Sequence, residues 1–273
     1  MVYARKGEPL RAPTLLETAL GFVTNFFDTL GIGSFAPTTS VFKLRGIVPD
    51  EKIPGTLNVG HALPTVAEAL IFIAIVQVEM TTLIAMIAAS VAGALLGAGI
   101  VSGFSRRAVQ VGMGFALLAA AAFFTMKNLG LFPGGGNTLG LHGALFWVGL
   151  VGNFVLGALM SLGIGLYAPC MILVALLGMN PIAAFPIMMG SCAFLMPAGS
   201  MRFIQKDKYS LAPAIGLTVG GIPGVLIAAY LVKSLDVTVL RWGVVAVVLY
   251  TAFAMLKSAF GAPAPASAST ASA

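Results

Sequence analysis

The stretch Leu30-Gly31-Ile32-Gly33-Ser34-Phe35-Ala36-Pro37 returns 132 positions later as Leu162-Gly163-Ile164-Gly165-Leu166-Tyr167-Ala168-Pro169. The same offset relates Gly46, Pro49 and Pro54 to Gly178, Pro181 and Pro186. With small gaps, Pro64 matches Pro197, Gly93 matches Gly221, Gln110-x-Gly112 matches Arg241-x-Gly243, and Lys127 matches Lys257. The chain is a duplicated unit, and each copy opens with an apolar segment that a Gly-x-Gly pair interrupts. In a membrane protein, breaks at corresponding places in two halves are the strongest sequence pointer to a transport site.

Composition supplies the membrane. The chain is 59% hydrophobic and 9% charged, with a mean hydropathy of +1.00, whereas a soluble domain carries roughly 25% charged residues. It cannot cover a water-facing surface, and its 273 residues allow about eight spans of roughly 20 residues each. The net charge of +6 comes from short basic clusters between apolar runs, which speak of orientation in a bilayer and not of nucleic-acid binding. Met1 to Pro13 is polar, unlike a signal peptide. Cys170 and Cys192 lie in apolar segments and make no disulfide framework. No His-Glu-x-x-His, Gly-x-Ser-x-Gly or P-loop pattern occurs, so no enzyme is expected. Two scattered histidines and two cysteines call for neither metal nor cofactor.

Taken in order, residues 1–13 form a short basic tail and 14–127 the first membrane repeat. Residues 128–142 are a Gly-rich linker, 143–260 the second repeat, and 261–273 an Ala/Pro/Ser-rich tail expected to be disordered. Repeat one is expected to hold a helix over 14–30, a second starting near Pro37, and spans over 54–77, 80–102 and 107–127. Repeat two mirrors it with a broken segment over 143–177 and spans over 182–204, 210–233 and 238–260. Gly93-x-x-x-Gly97 and Gly216-x-x-x-Gly220 suit close helix packing in lipid.

Charge discriminates between two topologies. If each broken segment crosses once, the basic residues divide 8 inside to 7 outside, no bias at all. If each broken segment is a hairpin that enters and returns on one side, Lys43, Arg45, Lys52, Arg106 and Arg107 move inside, Lys127 moves out, and the division becomes 12 to 3. The positive-inside rule favours the second arrangement, with both termini cytoplasmic. The expected fold is therefore all-α and integral to the membrane. About eight hydrophobic segments form two inverted repeats, each a broken or re-entrant helix pair plus three transmembrane helices.

That arrangement sets both breaks deep in the bilayer, facing each other. A helix N-terminus carries about half a positive charge and unpaired N–H donors, so two converging N-termini make an anion site without a buried cation. Gly31, Gly33, Ser34, Pro37 and Thr38 on one side, and Gly163, Gly165, Pro169 and Cys170 on the other, are the candidate binding residues, with Thr39 and Tyr167 as further donors. The competing reading is that the glycines serve packing. Asn58, His61, Thr65 and Glu68 share one face of the third helix. A polar stripe with a carboxylate inside lipid should face a cavity or a partner helix, although Asn58 and Thr65 suit a packing seam equally well and a lone His61 is more often structural. Asp28 precedes the first break. It and Glu68 lack acidic counterparts in repeat two, where Met160 and Met201 or a neighbour stand instead. An acid beside an anion is disfavoured in its ionised form, so both are candidates for proton coupling. The alternative for Asp28 is a cap on backbone groups freed by the break.

These residues resemble a known family. Leu-Gly-Ile-Gly followed by Ala-Pro, then Pro54-Gly55-Thr56-Leu57-Asn58, with a second copy downstream, is similar to the TauE/SafE sulfite exporter family, also called the toluene sulfonate uptake permease family. The resemblance covers residues 14–260. It implies a bacterial inner-membrane carrier for small sulfur-containing anions such as sulfite or organosulfonates. Gly31, Gly33 and Pro37 match the first family motif, Gly163, Gly165 and Pro169 the second, and Thr56 the small polar position of the next helix. Met188 stands at that position in repeat two, a departure from a symmetric site. The expectation is a secondary transporter working by alternating access, with the bilayer and a small anion as its partners. A small-anion channel is the nearest alternative, and a non-transporting accessory subunit or membrane enzyme the alternative from another class.

Overall fold

The computed structural model describes residues 11–132, 134–163, 165–231 and 238–260, with the side chains of 231, 238–241, 243, 244 and 247 left aside. The expectations for the first ten residues of the tail, Ile164, Lys233, the Arg241 side chain and the tail after Phe260 lie outside the described residues. Ten α-helices account for nearly all the rest: α1 Leu15–Thr29, α2 Phe35–Arg45, α3 Ile53–Ile75, α4 Met80–Val101, α5 Arg106–Asn128, α6 Gly143–Met160, α7 Tyr167–Leu176, α8 Ala184–Gln205, α9 Leu211–Leu231 and α10 Thr238–Phe260. Among the described residues, six of them, α3, α4, α5, α6, α8 and α9, are long and apolar enough to cross a membrane. The protein is an all-helical, multi-pass membrane protein.

Local chemistry explains where the short helices begin and end. Thr14 and Glu17 form a reciprocal capping box at the start of α1, and Arg11 pairs with the Glu17 carboxylate. Helix α1 ends where Gly31 and Gly33 adopt φ of 81° and 88°, a left-handed region open to glycine. Helix α2 starts at Phe35 and α7 at Tyr167, each two residues ahead of its proline, not at Pro37 and Pro169. The reason is the N–H inventory of a helix start: the residues after the prolines, Thr38 and Cys170, donate to Ser34 O and Leu166 O. Each proline thus sits in the first turn, where a missing N–H removes no bond. Both helices close alike. The N–H of Ile47 reaches back to Phe42 O and that of Met179 to Val174 O, around the left-handed Gly46 and Gly178.

Pro64 inside α3 leaves the Gly60 carbonyl without its helical donor. The Thr218 hydroxyl of α9 fills that vacancy at 2.8 Å, so the proline becomes a docking point for a neighbour. Glycine seams bring other pairs to backbone contact. At Gly93 and Gly97 a Cβ would run into the Phe154 and Ala158 carbonyls of α6, and at Gly220 and Gly224 into the Thr18 and Phe22 carbonyls of α1. Dispersion across such close backbones is a main source of helix association in lipid.

Most of the helix contacts pair off when the two halves are exchanged. α1 on α9 corresponds to α6 on α4, α3 on α9 to α8 on α4, α2 on α10 to α7 on α5, and α2 on α3 to α7 on α8, while α3–α8 and α5–α10 correspond to themselves. The loops also sort by end. At one end the Ser210 N–H donates to Thr56 Oγ1 at 2.9 Å, and Asp50 accepts from Lys43 and Gln110, each at 2.7 Å. The Lys206 ammonium reaches Gly99 O at the same end. At the other end the Leu141 N–H donates to Thr82 Oγ1, Thr138 Oγ1 donates to Gly178 O, and the Glu79 N–H donates to Leu139 O. The α1–α2 hairpin therefore has its outer ends with the first group, and α6–α7 has its outer ends with the second.

Candidate functional site

Both breaks border one cavity. Gly33, Ser34, Phe35 and Ala36 line it from the first half, and Gly165, Leu166, Tyr167 and Ala168 from the second. The remaining wall comes from Asp28 on α1, Ile32 in the first break, Thr65 on α3, Ala120, Phe123 and Phe124 on α5, Met160 on α6, and Cys192 and Met196 on α8. The first turns of α2 and α7 thus open onto the same space, and their N–H groups have no intrahelical acceptor. Most of the lining residues are apolar, and Asp28, Ser34, Thr65, Tyr167 and Cys192 are the polar ones. A concave apolar wall with a few convergent polar groups is the usual form of a small-ligand site.

Asp28 is buried at 3% exposure and lines the cavity together with Ser34. Ser34 is the N-cap residue of α2 and makes no capping bond of its own. Across the break, Lys127 near the end of α5 donates to Gly31 O at 3.3 Å. It places a cation at the carbonyl end of α1, where a helix carries partial negative charge.

The polar face of α3 divides into two groups. His61 Nδ1 lies 3.1 Å from Asn25 Oδ1, and Nε2 lies 3.1 Å from Thr38 Oγ1. With Asn25 Nδ2 donating to Gly21 O, Oδ1 is the acceptor. His61 therefore has a partner on each ring nitrogen, Asn25 at Nδ1 and Thr38 at Nε2, and joins α1, α2 and α3. Asn58 donates to Pro54 O within its own helix. Thr56 donates to Lys52 O and accepts from the Ser210 N–H, a loop contact at the bundle's end. Glu68 is fully buried. Thr29 Oγ1 lies 2.9 Å from its Oε1, and Tyr167 OH donates to its Oε2 at 2.6 Å.

Of the residues expected to bind ligand, the cavity gathers Gly33, Ser34 and Gly165, with Asp28 beside them. Gly31 turns toward Lys127 and the Phe185 ring, and Gly163 toward Met113 and Leu57. Pro37, Thr38, Thr56, Asn58, His61, Pro169 and Cys170 do not line the cavity. Residues that sequence reasoning passed over do line it: Phe35, Phe124, Met160, Cys192 and Met196. Met160 carried a usable signal, because it is the repeat-two counterpart of Asp28. The others come from helices whose facing is set by packing. Lys127 was matched to Lys257 as a repeat marker, and its place at the break follows from the fold. Among the described residues, no cluster of His, Cys, Asp and Glu could hold a metal ion. No protein-family model, curated protein or solved structure matches the chain.

Proposed function

We propose that the protein is a secondary transporter that moves a small anion across the bacterial inner membrane, bound between the N-termini of α2 and α7. The observation that carries this reading is the single cavity bordered by the first turns of both helices. Converging N–H groups at two positive dipole ends favour a compact anion. The exchange-related helix contacts, with the two hairpins rooted at opposite ends of the bundle, support an inverted-repeat architecture in which the halves rock about the cavity. In that frame α1–α2 and α6–α7 are hairpins that enter and return from opposite faces. The similarity of the glycine and proline motifs to the sulfite exporter family makes sulfite or a related organosulfur anion the first substrate to test.

An anion is bound best when nearby acids are neutral. Asp28 lines the cavity and Glu68 touches it through Tyr167, so the pair is the candidate machinery for carrying a proton with the anion. A carrier is preferred to a channel because the two hairpins are rooted at opposite ends of the bundle, the arrangement that alternating access uses.

The test is uptake of labelled sulfite into proteoliposomes, with and without a pH gradient, for the wild type and Gly165→Leu. A Cβ at Gly165 meets no atom within 4 Å, so a leucine side chain there starts from open space at the cavity wall. Saturable, gradient-sensitive flux that the substitution abolishes supports the reading. Flux of a different anion, lost in the same variant, keeps the site and replaces the substrate. Flux that Gly165→Leu leaves intact removes the cavity from the transport path.

A further inference from the structure

We infer that Glu68 holds a proton in this conformation and that Tyr167 positions that acid from the wall of the cavity. The argument is a proton count. Thr29 Oγ1 lies 2.9 Å from the backbone carbonyl of Asn25 and 2.9 Å from Glu68 Oε1. A hydroxyl has one proton to give. If it goes to Glu68, the Thr29 oxygen sits at hydrogen-bond distance from a carbonyl oxygen with nothing between them. If it goes to Asn25, as threonine in a helix ordinarily donates to the carbonyl four residues back, then the Glu68 side must supply the other proton. The complete chain is Glu68 Oε1–H to Thr29, Thr29 to Asn25 O, and Tyr167 OH to Glu68 Oε2. Every contact is then a hydrogen bond, and each group is satisfied.

The surroundings agree. Glu68 is fully buried, and among the described residues no basic side chain pairs with it. The titratable groups facing it are Asp28 from α1, Tyr167 from α7 and Cys192 from α8, none of which brings positive charge. The Lys127 ammonium is directed to Gly31 O, and His61 is already paired on both nitrogens. An uncompensated buried carboxylate would be costly in such a place.

Tyr167 is the link to the ligand. It is the first residue of α7 and lines the cavity, while its hydroxyl holds Glu68 on the first half's α3. One residue therefore lines the space between the helices and gives a phenol to the acid. A shift of the α7 N-terminus on binding draws the phenol from Glu68 Oε2. Ionising Glu68 requires the Thr29 hydroxyl to turn from Asn25 to Oε1, so Thr29 acts as the rotor that registers the proton. The link between acid and anion rests on the proposed transport site, whereas the proton on Glu68 does not.

Infrared spectroscopy of the full chain in vesicles at neutral pH separates the two. The wild type should show the carbonyl stretch of a protonated carboxyl, and Glu68→Gln should lose it. Tyr167→Phe should keep the band and move it to higher frequency, as one hydrogen bond to the carbonyl is gone; this arm stands even if the Gln variant does not fold. Added sulfite should shift the same band in the wild type and not in Tyr167→Phe. A spectrum with no band that either substitution alters means Glu68 is ionised and overturns the inference, whatever the flux measurements give. A band that responds to both substitutions but to no anion keeps the neutral acid and overturns the link to the ligand.

Discussion

Gly33 and Gly165 occupy the same place in the two breaks, border the same cavity, and each would carry a Cβ with no atom within 4 Å of it. What opposes a side chain at Gly33 is therefore its backbone, left-handed at φ 88°. Gly33→Ala should cost about 1–2 kcal/mol, the penalty of a left-handed alanine. Thermal unfolding of the variant and the wild type in detergent reads the cost, and equal midpoints would contradict the left-handed backbone.

The glycine seams set a second expectation. Gly93 faces the Phe154 carbonyl so closely that any Cβ must push α4 off α6, whereas a Cβ at Gly99 on the same helix meets open space. Gly93→Ala should lower stability by about 3 kcal/mol or prevent folding, in the manner of a severely overpacked core. Gly99→Ala should stabilise the helix by about 0.5–1 kcal/mol. Yield of folded protein and unfolding midpoint, measured side by side, check the pair.

Asp50 ties the outer end of the α1–α2 hairpin to α5. Its Oδ2 accepts from Lys43 and from Gln110, each at 2.7 Å, and Arg106 approaches to 3.6 Å. Asp50→Ala strands a half-buried ammonium and a buried amide, so a loss of about 3 kcal/mol is expected. Asp50→Asn keeps the shape and one acceptor and should recover part of it. Limited proteolysis of the 46–52 loop in the two variants reports the loosening locally. Cleavage no faster in Asp50→Ala than in the wild type would remove the tether.

The two ends of the bundle also make a topological prediction. Lys52 belongs with the 203–217 end, and His142 with the opposite end beside Glu79, whose carboxylate is 3.9 Å from its imidazole. Single cysteines at Lys52 and His142, on a background with Cys170 and Cys192 replaced by serine, should label from opposite sides of sealed vesicles. Labelling of both from one side would contradict three crossings, by α3, α4 and α5, between them.

Sequence determined the environment and the punctuation. A chain with so few charges can be stable only where its surface meets lipid. Its glycines and prolines act through local backbone geometry, which needs no partner, so the helix breaks at Gly31–Gly33 and Gly163–Gly165 were legible at once. The starts of α2 and α7 were displaced by two residues for a local reason too, since proline is tolerated throughout a first turn and does not mark its first residue.

Tertiary structure decided which side chains meet. His61, Asn58 and Glu68 share a face of α3 in any helix, yet His61 is consumed by Asn25 and Thr38, Asn58 bonds within its own helix, and Glu68 reaches Thr29 and Tyr167 across the two halves. Spacing along one helix fixes direction but not the neighbour found there. Lys127 lies 96 residues from the Gly31 carbonyl it contacts, and Tyr167 lies 99 from Glu68. Such pairs follow from how ten helices pack around the two breaks, a global balance of backbone contact and polar satisfaction that no local pattern encodes.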